Sequence, residues 1–226
     1  MFSEEQVIHI SIIIPVYREK STNDCLKNLP KDCEVIVVDG DGTSTLDLIE
    51  SKDIIKLSSQ KGRANQMNEG AKYATTEVLL FLHVDTILPK NALLHVKEAL
   101  NDKNIVAGAF NFDFDTQKKG LKFIAKVASW RSRRTRLPYG DQAIFIKKVV
   151  FEEIGGYEDM KLMEDVNLMQ KLKKRDLKIK IINQKVITSP RKYEKNGIIY
   201  NMLRNWVLIS LYFLGVNPEK LAKFYN

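Results

Sequence analysis

The sequence predicts an α/β domain with a mostly parallel central sheet flanked by helices and further helices at its C-terminal end. Three observations carry this. Residues 8–16 (IHISIIIPV), 34–39 (EVIVVD) and 78–82 (VLLFL) are near-continuous apolar runs rich in β-branched side chains. Strands without alternation are buried on both faces, as in parallel sheets covered by helices. The intervals between the runs hold helix-like stretches, residues 43–51 and 62–74, the second with Ala64, Met67, Ala71 and Ala74 on one side. Polar residues collect just past each run: Tyr17 and Glu19, Asp39 and Asp41, His83 and Asp85. Open α/β sheets bind their ligands at these carboxyl ends.

The second half reads differently. Residues 104–114 (NIVAGAFNFDF) alternate and predict a strand with one polar face. A basic helical stretch follows, then a turn at Pro138-Tyr139-Gly140-Asp141, an apolar stretch at 143–146 and a second turn at Gly155-Gly156. Residues 163–175, with Leu162 just before them, place Leu162, Val166, Met169 and Leu172 at helical spacing, with acids at the start and bases at the end, as the helix dipole favours. Two short strands are expected at 178–182 and 186–188, then a long apolar helix over about 197–215 and a short one after Pro218.

A chain of 226 residues, 44% hydrophobic and 28% charged, has the composition of a globular domain and enough length to bury a core without staples. Its two cysteines, Cys25 and Cys33, exclude a disulfide scaffold and a four-cysteine zinc module, and reduced thiols in the cytoplasm are the expectation. Residues 1–6 (MFSEEQ) lack the basic start and apolar core of a secretion signal. The net charge of +8 is local: Lys118, Lys119, Lys122, Lys126, Arg131, Arg133, Arg134 and Arg136 lie between Thr116 and Gly140 with no acid among them, and the rest of the chain balances. Such a segment is a solvated helix face or an attractor of phosphates and anionic lipid heads. No zinc-finger, RRM or KH signature accompanies it, so nucleic acid is not expected as a partner.

Several residues are suited to chemistry. A buried strand delivering Asp85 to its exit can hold a divalent cation against a diphosphate, although Asp85 also suits a turn or helix cap. Taken alone, His83 reads more readily as a partly buried, satisfied histidine than as a ligand. In Asp39-Gly40-Asp41-Gly42-Thr43 the glycines let a ligand approach the backbone and an Asp can accept from a base or ribose; the alternative is that Asp41 or Thr43 caps the next helix. Glu164-Asp165 at a helix start suits a general base or plain dipole complementation. GxGxxG and GxxxxGK[ST] are absent, which argues against a dinucleotide oxidoreductase and a P-loop NTPase.

In combination, SIIIPVYRE (11–19), EVIVVDGDGTS (34–44), KGRANQMNEGAKYATTEVLLFLHVDTILP (61–89) and MEDVNL (163–168) resemble, in order and spacing, the family 2 glycosyltransferases of the GT-A fold. GRANQMNEGA, LHVDTILP, LPYGDQAIF and NWVLISLYFLGVNPEKLAKFY are similar to a narrower bacterial subgroup, some members of which are associated with arsenosugar or related small-molecule pathways.

The resemblance implies a single Rossmann-like GT-A domain over 1–226: a nucleotide-sugar half (1–103), an acceptor half (104–195) and a C-terminal helical segment (196–226). It implies a nucleoside-diphosphate sugar donor, Mg²⁺ or Mn²⁺ as cofactor, and inverting transfer to an acceptor that the sequence does not identify; the basic segment beside LPYGDQ would suit an anionic or lipid-linked one. Pro15, Tyr17, Glu19, Asp39, Asp41, Arg63 and His83 would bind nucleotide. Asp85, with His83, would bind metal. Asp165, beside Glu164, would be the catalytic base, and Gly140, Asp141 and Gln142 would face acceptor or sugar. Arg131, Arg133, Arg134 and Arg136 form the basic patch. The chain departs from the family pattern at Arg18 (usually Asn), Gly40 (usually Asp), His83 (the first Asp of the DxD-type motif) and Met67 (usually Arg), where Arg63 would supply the cation. Its only histidines are His9, His83 and His95, so no C-terminal histidine ligand exists. Competing readings are a nucleotidyltransferase and a catalytically silent nucleotide- or membrane-binding domain. The apolar stretch 206–216 is too short to span a bilayer. Core packing is its favoured use, ahead of a homodimer interface and a peripheral contact at the inner face of the membrane.

Overall fold

A computed structural model describes residues 8–42 and 44–225. The N-terminal reading of residues 1–6 and the capping role of Thr43 lie outside the described residues. The elements run β1 (Ile10–Val16), α1 (Thr22–Lys27), β2 (Glu34–Asp39), β3 (Ile55–Ser58), α2 (Arg63–Tyr73), β4 (Val78–Phe81), β5 (Thr86–Ile87), α3 (Ala92–Leu100), β6 (Ile105–Phe114), α4 (Lys119–Thr135), β7 (Ile144–Lys147), α5 (Lys148–Glu153), α6 (Glu164–Lys174), β8 (Lys178–Thr188), α7 (Arg191–Asn196), α8 (Ile198–Phe213) and α9 (Pro218–Ala222).

The strands form one sheet of order β3-β2-β1-β4-β7-β6-β8-β5. β3, β2, β1 and β4 are parallel, as are β6 and β8, while β7 and β5 run against their neighbours. The sheet is therefore mostly parallel, as the unbroken apolar runs predict. The chain winds from β1 outward to β2 and β3, then returns to β4 on the other side. This reversal opens a crevice past Val16 and Phe81, the carboxyl ends of β1 and β4.

Alternate residues of each strand serve opposite faces of the sheet. Ile12, Ile14, Val37 and Leu80 join Val96 of α3 and Leu121 and Ala125 of α4 in one core layer. Ile13, Ile36, Leu79 and Phe81 join Ala64, Met67 and Ala71 of α2 and Leu168, Met169 and Leu172 of α6 in the other. Gly70 sets the seat of α2: a Cβ there would lie 2.5 Å from Ile13 Cγ2, so any larger residue would lift the helix off β1.

The structure corrects several expectations. Where a helix was expected over 43–51, the described residues 44–51 form only a 3₁₀ turn at Leu46–Leu48, because the Asp39 carboxylate takes the Thr45 amide (2.8 Å) and holds that stretch as a loop. All ten residues of β6 are buried, so the polar face read from its alternation faces protein. β6 lies inside the sheet between β7 and β8, and its polar groups have partners: Asn111 donates to the Asn183 carbonyl (3.1 Å), and Asp113 pairs with Lys122 and Lys185, each at 3.2 Å. The two short strands expected at 178–182 and 186–188 are one strand, β8, whose register against β6 shifts between Phe110 and Asn111. The extra residues of that bulge break the apolar pattern without ending the strand.

The long C-terminal helix forms but does not serve mainly as core. α8 buries Asn201 and Leu208, while Ile199, Leu203, Trp206, Val207 and Leu214 are exposed. No helix among the described residues is long and apolar enough to cross a membrane. Both cysteines are free thiols.

Candidate active site

The crevice carries two groups of polar residues. The first sits past β1 and β2. Tyr17 is exposed, with Lys61 Nζ 4.1 Å and Arg18 Cζ 5.3 Å from its ring centroid. Arg18, in the left-handed region at φ 50°, forks onto Asp41 through Nε (2.7 Å) and Nη2 (3.2 Å). That guanidinium holds the Asp41 carboxyl below the usual carboxylate range. An aromatic face flanked by cations is suited to a base and its phosphates.

Four residues lie under or beside this surface, three of them expected from the sequence. Asp39 is fully buried, its oxygens accepting from the Asp41 (2.9 Å) and Thr45 (2.8 Å) amides, so it shapes the loop from below. Pro15 is buried within β1. Glu19 accepts from the Ser21 hydroxyl (2.8 Å) and the Lys20 and Ser21 amides at the start of α1. Gln66, a residue the sequence reading passed over, is buried and donates to the carbonyls of Val16 (2.6 Å) and Val38 (2.8 Å), joining the ends of β1 and β2.

The second group surrounds a cavity of about 270 Å³. It brings Arg63, His83, Asp85, Gly140, Asp141 and Asp165 together. β4 delivers His83 and Asp85, and the Ser189 amide bonds the Asp85 carbonyl (3.2 Å), tying this turn to the end of β8. Arg191 Nη2 stands 3.9 Å from Asp85 Oδ2. Asp165 lies in the first turn of α6, which Met163 enters at φ 70°. Its Oδ2 accepts from the Gly140 amide (2.6 Å) and its Oδ1 from the Val166 amide (2.7 Å), leaving each oxygen a further lone pair. Gly140 leaves room for the imidazole: a Cβ there would lie 2.9 Å from His83 Nε2 and 3.5 Å from Asp165 Oδ2.

Glu164, 2% exposed, pairs through Oε1 with Arg63 Nε at 2.8 Å. Burial holds its carboxyl above the usual range against the pull of Arg63. The Oδ1 of Asp141 is buried without a hydrogen-bond partner. Burial first, then the nearby Asp165, pushes Asp141 up to about 6.

The neighbouring Gln142 does not face the cavity, which corrects its assignment to sugar or acceptor. It is fully buried, donates to the Phe110 carbonyl (2.8 Å), and accepts from the Ser132 hydroxyl (2.6 Å) and the Tyr139 amide (3.2 Å). It ties the Gly140 turn to α4 and β6. The basic patch also divides: the Arg131 guanidinium stacks 3.5 Å from the Tyr139 ring at the cavity wall, whereas Arg133, Arg134 and Arg136 are exposed.

Two features were not legible in the motifs. Asn68 binds the backbone of Tyr157 at both ends, donating to its carbonyl (2.8 Å) and accepting from its amide (2.9 Å), and so anchors the loop that leads to Glu164. The C-terminal segment supplies a cavity wall, with Tyr193 of α7, Asn205, Leu208 and Ile209 of α8, and Tyr225. The Arg204 guanidinium donates to the Tyr225 carbonyl (3.2 Å) and holds this last aromatic in place. Polar residues inside an otherwise apolar helix were its only sequence signal.

Among the described residues no three His, Cys, Asp or Glu side chains converge as a ready-made metal centre. The donor set nevertheless fits a hard cation that arrives with phosphate oxygens, because Mg²⁺-type ions are held by one or two carboxylates plus substrate. Asp85 supplies such a carboxylate, and the orphaned Asp141 Oδ1 is a second oxygen acceptor in the same cavity.

Comparisons with known proteins agree with this architecture. A family model, Glycosyl transferase family 2, matches residues 11–157. Two poly-β-1,6-N-acetyl-D-glucosamine synthase sequences of Staphylococcus epidermidis, one from strain RP62A, are each 30% identical over 117 residues. That match covers 46% of this chain and 28% of the synthase, so the chain spans under a third of these curated relatives. Among solved structures, a mannosyltransferase from Pyrobaculum calidifontis, in complex with GDP-Man and Mn²⁺, aligns with a TM-score of 0.61 at 18% identity. The alignment covers 80% of this chain and 56% of that one, and it shows a shared fold.

Proposed function

The chain belongs to glycosyl transferase family 2, and we propose that it moves a sugar from a nucleoside-diphosphate sugar to an acceptor hydroxyl held in the 270 Å³ cavity, by single displacement with inversion. The observation that carries this reading is the oriented Asp165 carboxylate, fixed by the Gly140 and Val166 amides with lone pairs to spare, in one cavity with Asp85 and Arg63.

Asp165 takes the proton of the acceptor hydroxyl as that oxygen bonds to the anomeric carbon. The bond from that carbon to the diphosphate breaks, and the nucleoside diphosphate leaves with the electron pair. Glu164 fixes Arg63 by the 2.8 Å ion pair, and Arg63 and Arg191 offer cations to the diphosphate. Asp85, with His83, would hold Mg²⁺ or Mn²⁺ at the donor diphosphate, where the ion supplies Lewis-acid neutralisation of the leaving charge. Tyr17 with Lys61 and Arg18 would seat the base, and Asp39 and Gln66 keep that surface in shape from beneath. The acceptor meets Asp141 and a wall of Tyr139, Tyr193 and Tyr225. Aromatic faces beside carboxylates suit a hydroxylated acceptor with an apolar body.

The test is nucleotide binding and turnover in wild type and Asp165→Asn. Calorimetric titration of UDP, GDP, CDP and ADP, with and without Mn²⁺, identifies the base, and hydrolysis of matching nucleotide-sugars reports chemistry without the acceptor. Asp165→Asn keeps diphosphate affinity and lowers turnover by about 10²–10⁴-fold. Near-normal turnover in that variant overturns the base assignment. Failure of wild type to bind any diphosphate overturns the donor site and favours the silent-domain reading.

A further inference from the structure

We propose that the outer face of α4 is a docking surface for an anionic lipid bilayer. Lys119, Phe123, Lys126, Val127, Trp130, Arg133 and Arg134 recur at spacings of three and four and share one face of this 17-residue helix. The opposite face, Leu121, Ala125, Ser129 and Ser132, is buried against the sheet. Phe123 is 67% and Trp130 58% exposed, and the four basic residues around them are exposed too.

The fold sorts the eight basic residues of this segment. Lys118 pairs with Glu194 (2.7 Å), Lys122 with Asp113 (3.2 Å), and Arg131 stacks on Tyr139. Arg136 caps the C-terminal end of α4, and Lys119, Lys126, Arg133 and Arg134 are left on the face that also carries the aromatic residues; no acid lies on α4.

Charge decides the occupant. A second copy of this face would set four cations against four, which opposes a symmetric contact. A phosphate backbone of nucleic acid would pair with the bases but leave Phe123 and Val127 in water. A bilayer bearing anionic headgroups meets both needs, with aromatic rings at the acyl boundary and bases among the phosphates. α8 has an exposed apolar face as well, but its one basic residue, Arg204, is turned onto Tyr225, so that face lacks the charge complement. The same helix carries Arg131 onto the cavity wall, which sets the cavity beside the docked surface. The inference stands on α4 alone and does not depend on the transfer reaction.

The chain has two tryptophans, Trp130 and Trp206. In Trp206→Phe the emission therefore reports Trp130 alone. The 226-residue chain is mixed with phosphatidylcholine vesicles, and with vesicles of two parts phosphatidylcholine to one part phosphatidylglycerol. The expected result is pelleting with the anionic vesicles only, weakened by salt, with a blue shift of Trp130 emission. Lys126→Ala with Arg133→Ala lowers partitioning about 25-fold, at about fivefold per basic residue. Phe123→Ser with Trp130→Ser lowers it further, with unchanged melting temperature because both side chains are outside the core. The proposal is overturned if wild type does not pellet with anionic vesicles in low salt, or if Trp130 emission does not move. Single-stranded DNA binding with no vesicle binding, or a dimer that Phe123→Ser dissociates, also overturns it.

Discussion

Asp141→Asn removes the charge of a carboxylate that the fold has raised from its ordinary 3.8 to about 6. Unfolded, Asp141 releases its proton near 3.8; folded, it keeps the proton until about 6, because burial and Asp165 disfavour the anion. The stability linked to that proton is complete below about pH 4 and is lost as pH rises through 6. Asparagine has the same shape and nothing to lose. The variant should therefore match wild type near pH 4 and exceed it above pH 7. At 1.36 kcal/mol per pH unit the full difference approaches about 3 kcal/mol. At this chain length that corresponds to a rise of about 6–12 °C in melting temperature. Melts of both proteins from pH 4 to pH 8 read it directly. A difference that does not change with pH, or a variant less stable than wild type at pH 8, would refute the argument. It would mean that Asp141 is a satisfied anion and not a desolvated acceptor awaiting a partner.

Gly140→Ala places a methyl group 2.9 Å from His83 Nε2. The imidazole can swing aside, so stability should fall by no more than about 1 kcal/mol, while nucleoside-diphosphate affinity measured by calorimetry falls about tenfold with His83 displaced. Unchanged affinity would remove His83 from the donor site. Gln142→Leu removes three hydrogen bonds and leaves the Phe110 carbonyl, the Ser132 hydroxyl and the Tyr139 amide without it in the core. Urea melts should show a loss of about 3–5 kcal/mol. A stable Gln142→Leu protein with altered acceptor preference would restore the sugar-contact reading.

Much was legible in sequence because it is local. The three unbroken apolar runs became β1, β2 and β4, and the one-sided stripe Ala64, Met67, Ala71 became the buried face of α2. α1, α5 and α7 have six residues each, too few for a helical period to stand out. The alternation of β6 misled because it reports side-chain polarity, whereas burial depends on strands and helices arriving from elsewhere. The family motifs placed Asp85 and Asp165 at strand and helix ends, and both reach one cavity.

The sequence by itself determined the layered class, the segregation of charge into one helix and the residue types at the carboxyl ends of the strands. Periodicity and turn chemistry act within a few residues, so these properties are written along the chain. The tertiary structure alone decided which groups meet. Arg63 and Glu164 pair at 2.8 Å, Asn68 grips Tyr157, and Tyr225 closes a wall beside them, all from distant parts of the chain. It also separated neighbours: Asp141 and Gln142 are adjacent in a single 3₁₀ turn, yet one lines the cavity and the other is locked in the core. That difference follows from turn direction relative to α4 and β6, which no spacing along the chain encodes.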